Sequence, residues 1–368
     1  MSSAMSTSST APNSPSIPLT TPSPPTVAPS PRRDRAQSAA KPYKHTMAKT
    51  RKPTIVVSEN LDGDPAKWLN RHADVVHMSH EDEPAFHRAL KSAEGLLVRT
   101  YTKVNDKLLK AAPKLKVVGR AGVGLDNISI AACTRHNVRV VSTPAANTQA
   151  VVEYVFALMF DAVRPRLYLD SYVPPPRYHQ YRRQHVTRQL NELILGILGM
   201  GRIGRRVAQV GHAVGMRVLY NDILTRRQLE LPPDDPSEFV DTTTLFAEAD
   251  VLTIHVDGRR SNRHIIDKQV LMSLKPSCII INAARGMLVN HDDLNTWSHI
   301  AEQYGGMALL EVQDPEPPPD DFPLFDRPNV KLLPHLAART HTALANMNWV
   351  VRDVVAVLQG KEPDHPAN

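Results

Sequence analysis

The sequence predicts an α/β protein made of two doubly wound parallel-sheet domains, and three observations carry that reading. At 368 residues the chain is longer than one ordinary domain. From residue 53 onward, short apolar, β-branched runs alternate with longer helical patterns. A glycine-rich loop, Gly199 to Gly204, falls in the middle of the chain, so a complete α/β unit precedes it. Strand–helix alternation of this kind argues for parallel sheets buried on both faces.

The runs are Thr54–Ser58, Gly95–Arg99, Lys116–Gly119, Val138–Ser142, Leu193–Leu198, Arg217–Tyr220, Val251–Val256, Cys278–Asn282, Ala308–Val312 and Val330–Leu333. Ten strands are many for one sheet. A helical segment from Thr148 to Arg164 is expected to link the two units and to stop before Pro174-Pro175-Pro176. A last helix, from Thr340 to Leu358, is expected to return to the first unit. The expected domains are therefore 53–147 with 336–368, and an inserted domain over 148–335. The cleft between them is the natural ligand site.

Residues 1–52 are rich in Ser, Thr and Pro and poor in large apolar side chains, the composition of a disordered tail. They also hold eight basic residues against the single Asp34, which is the whole net charge of +7. The remainder is formally neutral, so no nucleic-acid face is expected of it. The tail lacks the apolar core of a secretory signal, its prolines disfavour a transit helix, and Met47 is an alternative start. No apolar stretch is long enough to span a bilayer. Cys133 and Cys278 have neither metal-site nor disulfide spacing, and His179 and His185 lack metal partners, so no metal is expected. A cytoplasmic setting fits.

The loop Gly199-Met200-Gly201-Arg202-Ile203-Gly204 follows the strand Leu193–Leu198 and opens an amphipathic helix. In that context Gly199 allows the tight turn, Gly201 lets a pyrophosphate approach the backbone, and Gly204 lets the helix pack closely on the strand. The next strand ends at Asp222, 18 residues past Gly204, where a carboxylate receives the ribose hydroxyls and repels a 2′-phosphate. The motif predicts a Rossmann domain that binds NAD rather than NADP, although Arg226 and Arg227 lie close by.

Three further strand ends carry Arg285, Glu316 and His335, and ends on one edge of a doubly wound sheet converge at the cofactor. Oxidation of a hydroxyl by hydride loss needs a base for the proton, and histidine titrates in the right range. A carboxylate on the imidazole fixes its tautomer, and a guanidinium grips a substrate carboxylate. Asp314 rivals Glu316 for the carboxylate role. Met200 and Met287 are read as packing.

The motifs ILGMGRIG (197–204), INAARGMLVN (281–290), EVQDPEPP (311–318) and LPHLAA (333–338) resemble the D-isomer-specific 2-hydroxyacid dehydrogenase family over residues 54–358. The resemblance implies that Arg285 binds substrate, Glu316 pairs with the imidazole and His335 is the general acid/base. It implies a cofactor site of Arg202, Ile203, Asp222, Val256, Ala283, Arg285, Glu311 and His335 with the glycine loop. It also implies a flavodoxin-like first domain and a homodimer or larger homo-oligomer.

LVRTYTKVND (97–106) and LKVVGRAGVGLDNI (115–128) are similar to the phosphoglycerate-dehydrogenase branch. By that likeness the Val123 and Gly124 backbone meets the substrate carboxylate, Arg99 and Thr100 lie near substrate, and Thr102 lies near the nicotinamide. The implied reaction is oxidation of 3-phosphoglycerate to 3-phosphohydroxypyruvate, in serine biosynthesis. Glyoxylate, hydroxypyruvate or D-lactate are alternative substrates, and an NAD-sensing, corepressor-like interaction protein is an alternative function. There is no room for a carboxy-terminal serine-sensing domain, so serine feedback is not expected. The chain departs from the family at Glu311, usually Asp, at Asp257-Gly258, usually Pro-Leu, and in the loop Arg164–Arg188 with its six arginines.

Overall fold

The computed structural model describes residues 51–184 and 188–368; the tail up to residue 50 and His185 lie outside the described residues. The first sheet has five strands: β1 (Thr54–Val57), β2 (Asp74–His77), β3 (Gly95–Val98), β4 (Val117–Arg120) and β5 (Arg139–Val141). Their order is β2-β1-β3-β4-β5, all parallel, which is the flavodoxin-like winding. The second sheet holds β6 (Ile194–Leu198), β7 (Arg217–Asn221), β8 (Glu238–Phe239), β9 (Val251–Ile254), β10 (Ile279–Asn282), β11 (Met307–Leu310) and β12 (Val330–Leu332). Its order is β12-β11-β10-β9-β6-β7-β8, again all parallel. The winding reverses between β6 and β9, the crevice where such sheets receive nucleotides.

The central strands are buried along their whole length because helices cover both faces of each sheet. Each sheet therefore has two cores. Ile197, Val207 and Val218 fill one side of the second sheet, and Leu252, Ile280 and Leu310 the other. Val118 and Leu96 face one core of the first sheet, and Ile55 and Val117 the other. Each fully buried aliphatic side chain contributes about 1.5–3 kcal/mol.

Two strands, β2 and β8, are additional to the expected set. Both are edge strands, short and largely open to solvent, so neither carries a long apolar run. The helix Thr148–Val163 forms as expected and packs on the second sheet through Val151, Val155 and Met159. The three prolines do not simply end structure: Pro175 occupies the first turn of a helix, Pro175–Arg182, where a missing N–H is harmless. The expected last helix is two, His341–Asn348 and Val351–Leu358. The break at Trp349-Val350 turns the second piece onto β3 and β4, where a Cβ on Gly119 would overlap Val354.

Candidate active site

Because all strands in each sheet are parallel, their carboxyl ends share one edge. The glycine loop leaves β6 there. Gly199 takes φ +98°, open to glycine but strained for other residues, and a Cβ on Gly204 would overlap the Gly199 carbonyl oxygen. Gly201 precedes the helix Arg202–Ala213 with no side-chain cap and open space above its Cα. The Asp222 carboxylate, just past β7, accepts the Met200 N–H at 2.6 Å and the Leu224 N–H at 2.8 Å.

Arg226 turns away from Asp222: it donates to the carbonyls of Pro232, Asp235 and Ser237. The Val256 backbone lies against Gly199, Ile203 and Ala283 are part-buried beside the loop, and Arg202 is exposed. Uncapped amides at a helix N-terminus, an unobstructed glycine and a carboxylate after the next strand fit a dinucleotide.

At the other side of the crevice, His335 Nδ1 lies 2.7 Å from Glu316 Oε1. The rival Asp314 pairs instead with Arg263, at 2.9 Å. His335 follows β12 in the left-handed region, at φ +55°. That turn is held by Glu311: its carbonyl accepts the His335 N–H at 3.1 Å, and its Oε1 accepts the N–H groups of Leu336 and Ala337. Glu311 is fully buried, and its Oε2 has no hydrogen-bond partner. Burial raises its pKa above the ordinary carboxylate value, against the lowering effect of the two backbone donors.

Arg285 reaches across to the loop after β4. Its Nε donates to Asp126 Oδ2 at 2.7 Å, and its Nη1 to the Ala284 carbonyl at 2.7 Å. Its Nη2 lies where a Cβ on Gly124 would be. A Cβ on Gly258 would lie 2.7 Å from Asp126 and 3.0 Å from Arg285, so the larger leucine of the family pattern would crowd this pair. Asp257 is engaged by Arg259 and Asn262. Arg285, Asp126, Glu316 and His335 line one cavity of about 200 Å³.

Arg99 donates to Asn348 at 3.2 Å, and Arg120 lies over Gly122 with its Nε unpartnered. Burial and the nearby Arg285 charge push Arg120 down to about 10, and burial and Arg339 lower Arg99. Thr100 is exposed at the rim, and the backbone of Val123 and Gly124 is part-buried. Thr102 is only 1% exposed, with its hydroxyl on Ser58 at 2.8 Å and Glu59 at 3.0 Å. Its side chain is thus committed inside the first domain rather than presented to the cleft.

Sequence reasoning missed Asp126, Arg120 and Glu59. The available signal was position: each is within a few residues of a strand's carboxyl end on the functional edge. Among the described residues, no group of three or more His, Cys, Asp or Glu is arranged to hold a metal. Cys133 and Cys278 are buried free thiols, pushed by burial up to about 11 and about 12.

Residues 156–337 match the family model of the D-isomer specific 2-hydroxyacid dehydrogenase NAD-binding domain. The chain is 34% identical over 312 residues to a D-3-phosphoglycerate dehydrogenase from Archaeoglobus fulgidus; the match takes in 83% of this chain and 57% of that protein, so the chain spans little more than half of that relative's length. It is 30% identical over 327 residues to a glyoxylate reductase from Aeropyrum pernix, covering 86% of this chain and 96% of that one. Among solved structures, the D-lactate dehydrogenase of Aquifex aeolicus complexed with NAD and lactic acid superposes with TM-score 0.69 at 26% identity, over 83% of this chain and 96% of that one. The chain belongs to the D-isomer specific 2-hydroxyacid dehydrogenases, a family of NAD-dependent enzymes acting on CH–OH groups, and carries that family's NAD-binding domain.

Proposed function

We propose that the chain oxidises the C2 hydroxyl of a D-2-hydroxy acid with NAD, that the acid is 3-phosphoglycerate, and that the product feeds serine biosynthesis. The observation that carries the chemistry is the His335–Glu316 pair meeting Arg285 in one cavity at the carboxyl ends of β10, β11 and β12. His335 Nε2 takes the hydroxyl proton, while Glu316 holds Nδ1–H and stabilises the imidazolium. Arg285 holds the substrate carboxylate, together with the amides of Val123 and Gly124. NAD, when bound, supplies the acceptor for the hydride that leaves C2.

The choice of a phosphorylated acid rests on charge. Arg120 lies over Gly122 and Arg99 is close enough to it to repel it, so two cations besides Arg285 stand here, more than one carboxylate requires. A second reading, reduction of glyoxylate, is favoured by the near full-length match to a glyoxylate reductase. The test is turnover by the full chain with NAD or NADP against 3-phosphoglycerate, D-lactate, glyoxylate and hydroxypyruvate. A kcat/KM at least tenfold higher for 3-phosphoglycerate supports the first reading. Preference for glyoxylate supports the second, and NAD binding without turnover of any acid supports an interaction protein instead.

We also propose a cytoplasmic homodimer. Phe160, Leu167, Tyr168 and Tyr172, on and after the long helix of the NAD-binding domain, are exposed and suit a subunit interface. No helix among the described residues is long and apolar enough to cross a membrane. Light scattering gives twice the chain mass if the dimer forms and the single-chain mass if it does not.

A further inference from the structure

Four consecutive backbone N–H groups, those of residues 99 to 102, converge on one side chain. Glu59, two residues past β1, accepts Arg99 at 3.0 Å and Thr102 at 3.1 Å on Oε1, and Thr100 at 2.9 Å and Tyr101 at 3.3 Å on Oε2. Thr102 adds its hydroxyl at 3.0 Å. Amides folded around one point form a concavity for an anion, and here the chain fills it with its own carboxylate. The opposite side of the segment is held as well: Asn127 Nδ2 donates to the carbonyls of Arg99 at 3.2 Å and Thr102 at 2.8 Å. Asn127 sits directly after Asp126, on the loop that contacts Arg285. The segment that carries Arg99 is therefore braced from both faces, and its second brace is part of the Gly122–Asn127 loop.

We propose that Glu59 is a positioning residue for substrate binding, setting the backbone of residues 99–102 and through it the direction of Arg99. This rests on the reading above that Arg99 and Thr100 meet the substrate. Burial opposes the Glu59 charge, yet the four amide donors together hold its carboxyl below the ordinary range, so it is ionised when it grips the loop. Shape alone does not substitute for it. Glutamine has the same reach, but its amide nitrogen turns donors toward the Thr100 and Tyr101 N–H groups and leaves them unmatched. Aspartate is one methylene shorter but keeps both acceptor oxygens.

The test compares Glu59→Gln, Glu59→Asp and Arg99→Ala in the full chain, assayed with 3-phosphoglycerate and NAD and with glyoxylate and NADH. Amide hydrogen exchange at 99–102 supplies a readout independent of turnover. Glu59→Gln is expected to lower kcat/KM for the acid by about tenfold, a modest case of what misplaced binding groups cost. KM for the cofactor changes less than twofold, and exchange at 100–102 accelerates. Glu59→Asp recovers activity toward wild type. A side chain that merely fills space predicts the opposite order, with glutamine the better replacement, and that order overturns the proposal. A group acting only through its negative charge predicts tighter acid binding in Glu59→Gln, and a lowered KM overturns it too. If Arg99→Ala raises KM while Glu59→Gln does not, the positioning role fails and the substrate loop stands. If Arg99→Ala changes nothing, the substrate-loop reading fails and this inference with it.

Discussion

Replacing Asp126 by Asn should strengthen binding of the acid. The Asp126 carboxylate rests on Gly124 and receives Arg285 Nε at 2.7 Å, the contacts proposed for the substrate carboxylate. It is an internal competitor for the same guanidinium. In a medium of effective dielectric about 20, two charges about 4 Å apart attract by about 4 kcal/mol. The Arg285 and Asp126 side chains are 32% and 47% exposed, so solvent screens most of that, and exposed pairs measure about 0.2–1 kcal/mol. Asn keeps the size and one acceptor but removes the charge. Releasing up to about 1 kcal/mol lowers KM for the acid by up to about fivefold, since 1.4 kcal/mol is tenfold. Steady-state kinetics of the full chain at low and high ionic strength measures this, and the gain should shrink as salt rises. A KM that rises in Asp126→Asn, at unchanged folded fraction, refutes competition and makes Asp126 a support for Arg285.

Two other outcomes follow from the geometry. Glu316→Gln should lower kcat by about a hundredfold with little change in KM, because the imidazolium loses its counter-charge, whereas Asp314→Asn, whose carboxylate faces Arg263, should keep kcat within about threefold. Equal losses in stopped-flow turnover would contradict the assignment. Glu311→Gln should raise Tm at pH 7 and lose that advantage near pH 4. The folded-state pKa of Glu311 lies above its unfolded value, so the native state binds the proton more tightly, and the stability this brings is present at acid pH and lost as pH rises through the folded pKa. Thermal melts across that window check it, and a Tm difference independent of pH would point to lost backbone contacts instead.

The parts of the fold that were legible in the sequence are those encoded locally. Leu195, Ile197 and Leu198 before Gly199 mark a buried strand, and the glycine spacing with Asp222 marks the nucleotide edge. The pairing of Glu316 rather than Asp314 with His335 was suggested by position in the motif, but only the course of the loop separates the two carboxylates. Val75 and Val76 in β2 were invisible because an edge strand is half wet and needs no apolar run. The break at Trp349-Val350 has no sequence marker such as Gly or Pro; beyond it, Val354 packs into the space that Gly119 leaves on a strand far away in sequence. Glu59 is the extreme case. Read locally it is a charge after a strand, and its role exists only when the amides of residues 99–102, about forty positions later, fold around it.

In the proposed reaction His335, oriented by Glu316, moves the substrate proton. The direct measurement is kcat of the His335→Asn variant of the chain with 3-phosphoglycerate and NAD, alongside NAD binding by fluorescence. A loss of about 10²–10⁴-fold in kcat is expected in a variant that still binds NAD. An unchanged kcat in a variant that still binds NAD would contradict it.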